Sequence, residues 1–207
     1  NTIATAELTF ALMLALSRKV CRANESIRKG EWNRAAFQGT ELSGKTLGII
    51  GFGRIGSEVA KRAKVFEMNV LGYSPSLTPE RAAKSGATAC TLTLHSPATE
   101  KTKGLVNDDT LKKTKPGVMI INTARGTLID EGALKHYLEI GHVAGAAVDV
   151  YPQEPPEDYD LVRMEQVLGT PHIAASTKEA QLKVALVVAE EVLNFANGKP
   201  VQNSVNL

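Results

Sequence analysis

Apolar positions along this chain fall into short blocks separated by polar, glycine-bearing stretches. The first block, LTFALMLAL (8–16), reads as a packed helix with Thr5 as N-cap and Glu7 in the first turn. It is too short to span a bilayer and no basic segment precedes it, so neither a membrane span nor a secretory leader is expected there. Residues 30–47, with the single Trp32, are polar and predict an irregular connecting arm. Continuous apolar runs then recur at 46–51, 69–73, 91–95, 118–122, 144–149 and 166–169, the pattern of strands buried on both faces. Helical spacing falls between them, near 54–67, 79–85, 107–113 and 130–140. Such β-α alternation predicts an α/β fold with a doubly wound, mostly parallel sheet. A last helix is punctuated by a Ser176/Glu179 capping box, by Val184, Val187, Val188, Val192 and Phe195 at helical spacing, and by Asn197-Gly198 with Pro200 beyond.

Composition narrows the partners. A net charge of +2, 22% charged and 43% hydrophobic residues describe an ordinary globular chain without a basic stripe, so nucleic acid and membrane are not expected partners. Cys21 and Cys90 stand far apart and outside any Cys/His spacing, which predicts no metal site and fits a reducing, cytoplasmic setting. The chain opens on Asn1 and not on methionine, which suggests a fragment or processed product.

Chemistry enters with IIGFGRIGSEVAKRA. Gly51, Gly53 and Gly56 form a GxGxxG pattern that leaves a buried strand and enters a helix. In that context the first glycine permits a tight turn and the second lets backbone approach a pyrophosphate. The third allows close helix-strand packing, and the helix N-terminus offers free N–H groups to the phosphates. This predicts a Rossmann-type site for a dinucleotide, ahead of a mere glycine-rich strand-to-helix turn. A ribose-binding acid is expected about 20 residues on, where the chain has Ser74; this weakens the preference for NAD over NADP, while no adjacent arginine argues for NADP, so NAD is the expected cofactor with NADP not excluded.

Ligands of open α/β sheets sit beyond the carboxyl ends of the strands. Four stretches there carry polar groups: LHSP (94–97), NTARG (122–126), DVYPQEP (149–155) and TPHIAAS (170–176). They bring His95, Arg125, Asp149, Glu154 and His172 to one rim, although His95 could merely cap a strand and QEPPED could be a solvated loop. Hydride transfer between nicotinamide and a 2-hydroxy acid needs a proton-transfer group, for which His172 is the candidate. Glu154 would orient and charge-stabilise it, and Arg125 would grip a substrate carboxylate with parallel hydrogen bonds.

GKTLGIIGFGRIG, INTARGTLIDEGAL, HVAGAAVDVYPQEPP and TPHIAASTKEAQ resemble the cofactor-binding domain of the D-2-hydroxyacid dehydrogenases, over nearly the whole chain. The ASTKEAQ ending is most similar to the branch that acts on 3-phosphoglycerate, the substrate the resemblance implies, in serine biosynthesis. It further implies Arg125, Glu154 and His172 as the catalytic set, and NAD contacts from Arg54, Ile55, Ser74, Ser96, Thr123, Ala124 and Asp149. Glyoxylate or hydroxypyruvate reduction, or a non-catalytic NAD(H)-sensing module, are the alternatives. Homo-oligomers occur in the family. Relative to it, Ser74 stands where Asp is expected, about a helix and part of a strand are missing between Ala89 and Cys90, and the substrate-binding domain is absent. The chain is thus expected to form one dinucleotide-binding domain, with helix and arm over 1–45, core over 46–175 and terminal helix over 176–197.

Overall fold

In a computed structural model, residues 1–74 and 90–201 are described. Six strands form one sheet: β1 (Thr46–Ile50), β2 (Asn69–Tyr73), β3 (Thr91–Leu94), β4 (Val118–Asn122), β5 (Val143–Val148) and β6 (Val167–Gly169). Every predicted strand is present, and all five pairings are parallel in the order β2-β1-β3-β4-β5-β6. Strand order reverses between β1 and β3, which opens a crevice at their carboxyl ends.

The helices among the described residues are α1 (Thr2–Ser17), α2 (Val20–Arg28), α3 (Arg54–Val65), α4 (Asp108–Leu111), α5 (Glu131–Glu139), α6 (Asp160–Arg163) and α7 (Lys178–Ala196). The helix expected over 79–85 lies outside the described residues. Alternate strand residues face opposite layers, so Ile121 and Ala147 join a core with Ala6, Phe10 and Met13 of α1 and Val59 and Ala63 of α3. Their neighbours Ile120 and Ala146 pack instead with Leu111, Leu134, Leu138 and Leu161 on the other face. The sheet is therefore doubly wound, as its apolar runs predict.

Two helix details differ from expectation. α1 starts earlier than predicted, after Asn1, and Thr5 lies inside it with its hydroxyl bonded to Asn1 O. The cap of α7 is Thr177, whose side chain accepts from Ala180 N–H at 3.1 Å; Ser176 forms no capping box because its own N–H is turned to Ile173 O. The apolar spacing of α7 is real but unburied: Val184, Val187, Val188, Val192 and Phe195 are 40–71% exposed. Gly198 ends the helix at φ +64°, as its place after Asn197 predicts. Residues 30–45 form an arm with one 3-10 turn, and Trp32 on it is exposed. Among the described residues no helix is long and apolar enough to cross a membrane.

Candidate active site at the carboxyl rim of the sheet

The glycine turn sits at the crevice. Gly51 takes φ +99° and donates its N–H to Tyr73 O of β2. A Cβ there would lie 2.4–2.6 Å from the backbone of His95 and Ser96, so the exit of β3 can pass this close only because the residue is glycine. Gly56 is pressed on the same turn, its would-be Cβ 2.3 Å from Gly51 O. Gly53 differs: nothing lies within 4 Å of where its Cβ would be. It is also the N-cap of α3, and no side chain caps that helix. The unobstructed approach and the uncapped helix start fit a pyrophosphate, whose charge the first-turn N–H groups of Arg54, Ile55 and Gly56 can meet. Ser96 is buried beside Gly51, and Ser74 follows β2.

The turn after β4 carries Arg125. Asn122, almost fully buried, accepts from Ala124 N–H at 3.1 Å and donates from Nδ2 to Arg125 O at 2.9 Å. Both ends of its amide are thus committed to shaping this turn. The buried Thr123 hydroxyl meets that of Thr9 on α1 at 2.9 Å. Arg125 itself is exposed, its Nη1 donating to Ala124 O at 2.6 Å. Next to it Gly126 touches backbone: a Cβ would stand 1.9 Å from Tyr151 C. The turn bearing Arg125 therefore lies directly on the loop bearing Glu154.

That loop and the exit of β6 complete the rim. Glu154 Oε1 accepts from Tyr151 N–H at 3.1 Å, and Oε2 lies 2.6 Å from His172 Nδ1. Partial burial alone would raise the Glu154 pKa. The hydrogen bond from His172 and that from Tyr151 N–H, with the charges of His172 and Arg125, outweigh it and hold the carboxyl below its ordinary value. An ionised Glu154 can only accept, so His172 carries its proton on Nδ1 and leaves Nε2 as the free lone pair. The His172 backbone is left-handed, at φ +53°, and is held there by Asp149. Fully buried Asp149 accepts from Thr170 Oγ1 at 2.6 Å, Ile173 N–H at 2.8 Å and Ala174 N–H at 2.9 Å, bracketing the histidine. Tyr151 OH adds a bond to Thr170 O at 3.1 Å.

All the site residues expected from the sequence lie at this rim. The structure brings Glu154 and His172 into contact, with Arg125 close enough for its charge to act on Glu154. His95 is apart from that group. Its Nε2 meets Thr93 Oγ1 at 3.0 Å, whereas Nδ1 is shielded and has no partner. Burial lowers the His95 pKa to about 4. Sequence reasoning missed Asn122 and the work of Asp149 on the histidine turn. An Asn closing a strand before a turn is a signal that could have found the first, because its side chain readily bonds backbone two residues on.

A parallel sheet with an uncapped glycine turn at its switch point and an imidazole-carboxylate pair across the rim defines a dinucleotide-binding domain. Residues 10–174 match the family described as D-isomer specific 2-hydroxyacid dehydrogenase, NAD binding domain, and the chain belongs to that family. D-3-phosphoglycerate dehydrogenase of Bacillus subtilis is 54% identical over 217 aligned positions, covering 100% of this chain and 41% of the relative. The chain thus spans about two-fifths of the length of such curated relatives. Because 217 positions exceed the 207 residues here by ten, that relative has at least ten residues without counterpart in this chain. Among solved structures, a protein from Thermus thermophilus is 36% identical with a TM-score of 0.89, over 99% of this chain and 68% of its own. D-lactate dehydrogenase from Aquifex aeolicus, complexed with NAD and lactic acid, is 28% identical with a TM-score of 0.85, over 96% of this chain and 67% of its own.

Proposed function

We propose that this chain is the cofactor half of an NAD-dependent dehydrogenase that oxidises D-3-phosphoglycerate reversibly to 3-phosphohydroxypyruvate, a reaction of serine biosynthesis. The 2.6 Å His172–Glu154 pair, on the rim that also holds the glycine turn and Arg125, carries this reading. The names of the relatives support the choice of substrate. Residues 46–175 form the dinucleotide-binding core, flanked by the helix and arm of 1–45 and the terminal helix.

When bound, NAD supplies the hydride acceptor. His172 Nε2 takes the proton from the hydroxyl oxygen of the 2-hydroxy acid as the hydride leaves the carbon that bears that oxygen, which becomes the carbonyl, and returns the proton in the reverse direction. Glu154 holds the ring by Nδ1 and stabilises the imidazolium that results, while Arg125 grips the substrate carboxylate. The 3-phosphate of the substrate, and the exclusion of water from the cleft, call on the portion of the relatives' length that this chain does not span. The backbone N–H groups after Gly53, with Ser74, Ser96, Thr123, Ala124 and Asp149, border the dinucleotide.

Titration with NADH and NADPH, followed by nicotinamide fluorescence, tests the cofactor assignment. Tighter binding of NADH is expected, with Ser74 and backbone groups holding the ribose without an acid; binding of neither would refute it. For the reaction, 3-phosphoglycerate-dependent NADH formation by the complete protein should fall at least about a hundredfold in His172→Ala. Retained activity in that variant would remove His172 from the proton-transfer role.

A further inference from the structure

The rim turn after β4 is tied to α1 by one buried hydrogen bond. Thr9 is fully buried on a helix whose neighbouring core positions, Ala6, Phe10 and Met13, are apolar. Valine would fill the same space without a polar atom, so a hydroxyl here costs free energy unless it is bonded. Its oxygen lies 2.8 Å from Thr5 O, to which it donates, and 2.9 Å from Thr123 Oγ1. The two hydroxyls own two protons, and one arrangement uses both: Thr123 donates to Thr9, and Thr9 donates to Thr5 O.

The far end of this chain of bonds cannot easily yield. Phe10, Leu12 and Met13 of α1 are packed in one core with Leu47 and Ile49 of β1 and Ile121 of β4. β1 ends at the glycine turn, and Thr123 follows β4 at once. Through α1 the clasp therefore fixes the turn after β4 relative to the turn after β1, the two places between which a dinucleotide is stretched. Thr9 lies one residue outside the span matched by the family, and 114 residues from its partner.

We infer that Thr9 is a positioning residue for the dinucleotide: acting through Thr123, it holds the backbone of residues 123–125 where the nicotinamide end is received. The inference rests on the proposal that this turn borders NAD. It differs from a fold-stabilising role in what it predicts for binding, since a helix anchor alone would alter stability and leave the affinity of the folded protein unchanged.

The test is NADH titration by nicotinamide fluorescence on wild type, Thr9→Val and Thr9→Ser, with Tm measured without ligand. Thr9→Val should bind NADH about fivefold more weakly, the worth of one net hydrogen bond, and Thr9→Ser should stay within about twofold of wild type. Thr123→Val removes the same bond from the rim side, so adding Thr9→Val to it should weaken binding no further. The double variant should match Thr123→Val. Unchanged affinity in Thr9→Val with a lowered Tm would overturn the inference, as would additive losses in the double variant. If Thr9→Val does not fold, Thr9→Ala, which also lacks the hydroxyl, decides on the same readout. Failure of folded wild type to bind NADH would refute the cofactor reading itself, a result separable from equal binding by wild type and variants.

Discussion

Gly126→Ala isolates how the Arg125 turn is seated on the Glu154 loop. The backbone of Gly126 does not have positive φ, so alanine brings no conformational strain and the effect is steric alone. Its Cβ would lie 1.9 Å from Tyr151 C and 2.3 Å from Pro152 N, against 3.4 Å for an ordinary contact. The loops must therefore part by about 1.5 Å, and because the obstacles are backbone atoms no side chain can swing aside. Overpacking of this kind costs about 1–3 kcal/mol, which urea unfolding would register. The functional loss should be larger than the stability loss suggests, since a misplacement of about 1 Å near reacting groups can cost about a hundredfold. A direct readout is the carboxyl titration of Glu154 by NMR. Arg125 helps to hold that carboxyl low, so its midpoint should rise toward the ordinary value when the turn lifts away. Wild-type stability together with an unmoved Glu154 midpoint in Gly126→Ala would refute the argument that these loops position each other.

Two further outcomes are expected. Gly53→Ala should fold with Tm close to wild type, because nothing lies within 4 Å of the added methyl, yet bind NADH at least about tenfold more weakly because that methyl stands where the phosphates approach; unchanged binding would mean the ligand does not pass over Gly53. His95 should make the fold acid-sensitive. Its pKa is about 4 in the fold against 6.5 unperturbed, so the unfolded chain takes up the proton first; this contribution is complete above about pH 6.5 and is lost as pH falls toward 4. The difference of 2.5 units corresponds to about 3 kcal/mol. Urea unfolding of wild type and His95→Gln at pH 7.5 and pH 4 should show that difference in their pH dependence, and parallel curves would exclude it.

Much of the site could be read from the chain because parallel sheets write their topology plainly. Strands covered on both faces must be apolar, which located β1, β3, β4 and β5; the edge strands β2 and β6 are only partly buried but carry short apolar runs too, and the switch-point rule then placed 94–97, 122–126, 149–155 and 170–176 on one rim. What escaped is what depends on distance between residues remote in sequence. Nothing in LTFALMLAL reveals that Thr9 meets Thr123, or in DVYP that Asp149 commits three hydrogen bonds to the turn around His172. Two adjacent hydroxyl residues, Ser176 and Thr177, both suit a helix cap, and only the extended backbone of Thr177 decides between them. Spacing alone likewise gave α7 an apolar stripe without showing that the stripe faces outward.

The order of the strands divides labour across the sheet. β2, β1 and β3 end in Ser74, the glycine turn and Ser96, whereas β4, β5 and β6 lead into Arg125, Asp149 with Glu154, and His172. On the proposed function, recognition of the adenosine end falls in one half of the sheet and proton transfer in the other, with Gly51 and the β3 exit as the seam. On that reading a substitution at Ser74 can retune which dinucleotide is held without disturbing the 2.6 Å pairing of Glu154 with His172. Cofactor choice and proton-transfer chemistry can therefore be altered by substitutions in separate halves of one sheet.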